Sequence, residues 1–174
     1  MEGAELWRGL DRAARHALPA ASILMMVVVL GIPGLLPFQP ACRAGFVVAS
    51  VFFWTLYRPA AVPAPIVALL GIVLDLLGAS PLGMWAALLL IEQAGIAAVR
   101  RSLVAQGFPL VWLAFAGVAL AVAAAEYATR SLLDLVILPP GPIVTQAIIA
   151  ILLYPLLAVI LIRAHRGPAA PEQA

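Results

Sequence analysis

Apolar runs recur from one end of this chain to the other. Among them are runs long enough to cross the roughly 30 Å hydrocarbon core of a bilayer. In hydrocarbon every backbone N–H and C=O must be paired inside the protein, which a helix achieves within itself. The chain is 65 % hydrophobic and 10 % charged with a mean hydropathy of +1.12, leaving too little polar surface to cover a soluble domain of 174 residues. The expected fold is therefore an all-α, polytopic membrane protein with no separate soluble domain.

Proline and glycine divide the apolar sequence. Breaks at Pro37 and Pro40, Pro59 and Pro63, Pro81 and Gly83, Gly107 and Pro109, and Pro139–Pro142 leave six predicted spans: 18–37, 41–57, 62–78, 83–99, 108–128 and 142–163. The second must begin near Pro40, with Arg43 snorkelling outward, to be long enough. All ten basic side chains are arginine. With the N-terminus in the cytoplasm, Arg8, Arg12, Arg15, Arg58, Arg100, Arg101, Arg163 and Arg166 fall inside, and only Arg43 and Arg130 fall outside. This positive-inside bias predicts six spans with both termini cytoplasmic. Residues 1–17, with Leu6, Leu10, Ala14 and Leu18 on one face, read as an amphipathic helix on the inner leaflet and not as a cleaved signal peptide. Residues 164–174 read as a disordered cytoplasmic tail. The greasy stretch 131–141 either continues the fifth span or lies along the outer interface.

Ionisable groups inside apolar runs are costly and face protein or water. Asp75 is the most informative. Ala64, Ala68, Gly71, Asp75 and Gly78 fall on one helical face of small residues, suited to close helix–helix approach. Asp75 thus sits on a buried seam just before a Gly-Ala-Ser-Pro turn. Two readings stand: a structural carboxyl that ties its helix to the turn through Ser80 or free backbone amides, and a ligand- or partner-binding group. Glu92, near the centre of the fourth span beside Gln93, reads as a neutral acid hydrogen-bonded between helices, or else as a ligand or proton site. Glu126 and Arg130 are spaced to form a local ion pair near the outer surface. Trp7, Trp54, Tyr57 and Trp112 read as interface anchors.

No motif of catalysis or cofactor binding is present. The absence of lysine excludes an ordinary P-loop, and there is no H-E-x-x-H, no G-x-S-x-G and no paired His/Cys spacing. The single cysteine, Cys42, makes neither an internal disulfide nor a cysteine metal cage and reads as a small apolar filler. The expectations are a non-enzymatic chain with no catalytic residue, metal or cofactor, and no nucleic-acid partner.

The blocks Phe53-Trp54-Thr55-Leu56-Tyr57-Arg58-Pro59 and Gly71-x-x-x-Asp75-Leu-Leu-x-x-x-Pro81-Leu82-Gly83 resemble the rod shape-determining protein MreD family. Leu138-Pro139-Pro140, Gln146 and Leu153-Tyr154-Pro155 resemble its last helix in the form seen among alphaproteobacteria. The resemblance covers about residues 20–165. It implies a six-helix bundle similar to the substrate-binding subunits of energy-coupling-factor transporters. It also implies a non-enzymatic inner-membrane scaffold of the cell-wall elongation (Rod) complex, which binds MreC and supports peptidoglycan synthesis and rod shape. RodA, a class B penicillin-binding transpeptidase and MreB are the further partners implied, with membrane lipids around the bundle; a homodimer is left open. The motif residues that carry over are Trp54, Arg58, Pro59, Gly71, Asp75, Pro81, Leu82, Gly83, Gln146, Tyr154 and Pro155, with Gly78 on the same small-residue face. A substrate-binding subunit of a small-molecule, vitamin-type transporter is the alternative; it requires a polar outward pocket lined by Glu92 or Glu126. An intramembrane enzyme on lipid-linked precursors is a third class, for which no motif exists.

Overall fold

The computed structural model describes residues 39–165, with Ile23 and Met25 before them. Among the described residues the chain is all-helical and contains no strand. Helix α1 spans Gln39–Tyr57, a short 3₁₀ turn Pro59–Ala61, α2 Ala64–Gly78, α3 Met84–Val104, α4 Phe108–Asp134 and α5 Gly141–His165. Prolines mark the starts: the 3₁₀ turn opens on Pro59, Pro63 precedes α2, and α2 and α4 carry proline in their first two positions. A missing N–H costs nothing in the first turn, where no intrahelical acceptor exists.

Three of these helices are long and apolar enough to cross a membrane: α1, α4 and α5 as far as Leu161. Helix α2 is apolar but has 15 residues, and α3 has 21 residues but carries Glu92, Arg100 and Arg101. The 1–17 segment and, apart from Ile23 and Met25, the predicted span 18–37 lie outside the described residues; of the predicted 164–174 tail, Ala164 and His165 still belong to α5, and the rest lies outside them. The 131–141 stretch divides. Helix α4 continues through it to Asp134, and Leu135 then adopts a left-handed conformation (φ 53°) that ends the helix. Leu135 and Ile137 stand almost fully exposed, at 88 % and 87 %.

Helix α1 is the central element, buried at every residue from Arg43 to Leu56. It packs most extensively on α5 and α3, and touches α2 and α4. Small residues set the closest approach to α5: a Cβ on Gly45 would stand 3.0 Å from the Ala150 methyl. Phe52 of α1, Phe115 of α4 and Tyr154 of α5 form an aromatic knot, Phe115 stacked on Tyr154 at 4.3 Å and Phe52 edge-on to both. Trp54 also belongs to this interior. It is 5 % exposed and lies edge-on to Phe53, so it is a core residue and not an interface anchor. Helices α4 and α5, by contrast, bury only 28 % of their apolar windows. Leu113, Leu120, Leu152 and Leu156 face outward, an apolar exterior that fits a membrane protein.

Candidate functional site

The α2–α3 connection is organised by Asp75, which is 1 % exposed. Its Oδ2 accepts the Gly83 N–H at 2.8 Å and its Oδ1 accepts the Trp85 N–H at 3.1 Å. These amides belong to the N-cap and the second residue of α3, donors that have no acceptor within their own helix. Gly83 has no side chain with which to cap, and its φ of 92° favours glycine. A carboxylate from the preceding helix therefore performs the capping. The Asp75 main chain closes α2 as well: its carbonyl accepts the Ala79 N–H, with Ala79 in the left-handed region, and the Ser80 N–H at 3.1 Å. One residue thus ends α2 and begins α3.

Gly71, one turn earlier, makes this geometry attainable. A Cβ there would collide with the backbone N and Cα of Ala86, so α2 and α3 meet backbone to backbone. The small-residue seam is internal to the chain. Pro81 and Leu82 lie exposed at the turn itself.

Beside this turn lies a cavity of about 490 Å³ lined by residues of all five helices and by Ser80. Glu126 of α4 is buried there. It pairs with Arg130 at 2.9 Å and accepts a 2.7 Å hydrogen bond from Gln146 Nε2 of α5. Arg130 Nη2 also donates to Ser80 Oγ at 3.0 Å. The expected local pair is thus one link of a chain across α4, α5 and the 79–83 turn, with Glu126 inside the protein and not at its surface. Arg43 lines the same cavity. It is 7 % exposed, and its Nε has no hydrogen-bond partner among the described residues. The outward snorkelling expected of Arg43 is not what the chain does, because α1 is sheathed by its neighbours at this depth.

Glu92 occupies a second place. It is buried on α3, and neither carboxyl oxygen has a hydrogen-bond partner among the described residues, so the interhelical bond expected for it is not found there. It borders a groove of about 900 Å³ between α3 and α4. Gly95, Ala98, Ala114, Gly117, Ala121 and Ala125 line that groove, and a Cβ on Gly95 or Gly117 would meet nothing within 4 Å. Gln93 points elsewhere, donating to the Val62 carbonyl at 2.7 Å, and Arg100 donates to the Leu56 carbonyl at 2.7 Å. Both anchor α3 to the α1–α2 connection, where Arg58 and Pro59 are exposed. Tyr154 is part of the aromatic knot, and Pro155 lies inside α5.

The structure therefore gathers Asp75, Gly71 and Gly83 into one unit, and Glu126 and Gln146 into another, with Gly78 between them. It leaves Glu92 alone and sends Trp54 to the core. Arg43, expected to snorkel outward, and Ser80, expected as a partner of Asp75, both line this cavity instead; the signal for Arg43 was an arginine placed inside an apolar run with no acidic residue nearby. Among the described residues no group of three or more His, Cys, Asp or Glu side chains could hold a metal. No family model, curated protein or solved structure matches this chain.

Proposed function

We propose that this chain is an MreD-type, non-enzymatic scaffold of the cell-wall elongation complex in the bacterial inner membrane. In this reading it holds the single transmembrane helix of MreC, with RodA, the class B transpeptidase and MreB in the same assembly. It spans the membrane six times with both termini cytoplasmic, α2 and α3 crossing as a pair clamped at Gly71 and Asp75. The observation that carries the reading is the α3–α4 groove. Small residues line it along two helices, and among the described residues its glycines face open space and the Glu92 carboxyl group on its edge has no partner. In a membrane, helix pairs associate through close packing on small residues and through interhelical hydrogen bonds. The groove offers both to one added helix. The Gly71–Gly83 seam, which looked suited to that role in the sequence, is already occupied by α3.

The alternative, a transporter substrate-binding subunit, has its own support: a polar cavity lined by Glu126, Arg130 and Gln146. One experiment separates the two. The tagged full-length chain is purified in mild detergent and its partners are identified. MreC should co-purify, and Gly117→Leu, which fills the groove, should release it while leaving membrane abundance intact. Co-purification of an ATPase pair in place of MreC would reject the scaffold reading.

A further inference from the structure

We propose that the cavity beside the 79–83 turn is an anion site that takes the phosphate of an anionic lipid headgroup between Arg43 and Arg130. Among the described residues, two guanidinium groups line the cavity against one carboxylate, Glu126. Glu126 is already engaged by Arg130 and Gln146. Arg43 is therefore a buried cation with no carboxylate of its own among the described residues. Its Nε is unpartnered among the described residues, and so is the Nε of Arg130. A buried guanidinium nitrogen without a partner is unfavourable, and a bound anion supplies one to the Nε of each arginine while Arg130 keeps its bonds to Glu126 and Ser80.

The position is defined by Gly78. A Cβ built on it would stand 3.2 Å from Ser80 Oγ and 3.6 Å from Arg43 Nη2. Ser80 Oγ in turn receives the Arg130 bond at 3.0 Å. The two arginines thus flank one spot that the missing side chain of Gly78 leaves open. One helix end adds to the field: Ile143 brings the first turn of α5 to the cavity wall, a partial positive charge.

The source follows from the surroundings. Much of the remaining wall is apolar, with Ala44, Leu74 and Ile143 among it. Leu82 in the adjoining turn, and Leu132, Leu133, Leu135, Val136 and Ile137 shortly after Arg130, are exposed apolar residues at the same end of the bundle, with Asp134 among them. The cavity opens outward past the exposed Pro40, Gly78 and Pro142, so a phospholipid can carry its phosphate in while its tails stay on the neighbouring apolar surface. This inference is independent of the scaffold reading, since it concerns a different cavity.

The test uses the full-length chain, solubilised from membranes and equilibrated with an equimolar mixture of phosphatidylglycerol and a monoglucosyl diacylglycerol, which has the same tails and no phosphate. Retained lipids are then counted by mass spectrometry. Wild type should retain phosphatidylglycerol over the glycolipid by about tenfold, the factor that one charge-assisted hydrogen bond to the phosphate commands. Arg43→Gln should bring the ratio close to one. Gly78→Ala, which places a methyl group between Ser80 and Arg43, should do the same and decides the matter if the arginine variant fails to reach the membrane. Equal retention of the two lipids by wild type, or an undiminished preference in both variants, overturns the site. Loss of phosphatidylglycerol to millimolar inorganic phosphate overturns the lipid as its source and assigns the site to free phosphate.

Discussion

Replacing Asp75 tests the turn most directly. Asp75→Leu removes both acceptors and leaves the Gly83 and Trp85 amides facing an apolar side chain at a site 1 % exposed. Each orphaned amide costs about 1–3 kcal/mol, so the variant should lose about 2–6 kcal/mol. Asp75→Asn keeps one acceptor oxygen but sets its NH₂ against the other amide, so it should lose about one bond, or roughly 1–3 kcal/mol. The assay is equilibrium unfolding in mixed micelles of dodecylmaltoside and increasing dodecyl sulfate, with near-ultraviolet circular dichroism as the readout. The ordering wild type, Asn, Leu is the signature of a carboxylate used at both oxygens. If Asp75→Leu unfolds within about 0.5 kcal/mol of wild type, which is the spread of neutral substitutions, the capping account is wrong. An Asn variant with wild-type stability and MreC binding but lost control of cell width would instead assign Asp75 to ligand or proton chemistry.

Gly71→Leu should cost about 3 kcal/mol or more, or fail to assemble, because its side chain meets the Ala86 backbone, whereas Ile72→Phe on the exposed face of α2 should be nearly neutral; membrane abundance and the same unfolding assay compare them. Ala79→Gly should stabilise by about 0.5–1 kcal/mol, since Ala79 holds a left-handed conformation (φ 49°) that glycine adopts freely. Reporter fusions at Arg101 and Gly167 should read cytoplasmic and a fusion near Pro140 periplasmic; a periplasmic reading at Gly167 would remove the six-span topology.

The sequence made the helices legible because their ends are chemical. Proline and glycine sit at nearly every boundary, and α2, α4 and α5 begin within two residues of the predicted starts. The α2 seam was legible for the same kind of reason: steps of three and four among small residues survive into three dimensions as the Gly71–Ala86 contact. The partners of Asp75 were less so. A carboxylate's choice between a hydroxyl and backbone amides depends on how the 79–83 turn folds back, and Ser80 instead receives Arg130. Arg43, Glu126 and Gln146 are separated by long stretches of chain, and no periodicity reports that α1, α4 and α5 bring them to one cavity. Trp54 was misjudged because an aromatic near a helix end reads the same whether it meets lipid or, as here, a covering layer of protein.

Glu92 gives the last test, because the fold gains nothing visible from it. Its carboxyl group is 5 % exposed and makes no hydrogen bond among the described residues, with Leu88 and Ile96 on the same face of α3. A buried polar group without a partner costs about 1–3 kcal/mol, so Glu92→Leu should raise the unfolding free energy of the isolated chain by about that amount. A residue that destabilises the free protein is explained if its partner arrives with another helix, where an interhelical hydrogen bond forms in the membrane. Glu92→Leu should therefore be more stable alone and poorer at retaining MreC. Glu92→Gln, which still donates and accepts, should retain it. Unfolding in mixed micelles and co-purification of MreC measure the two effects separately. A Leu variant less stable than wild type would mean that Glu92 is satisfied within the fold. A Leu variant that is more stable and still holds MreC fully would mean that the partner helix lies elsewhere than in the α3–α4 groove.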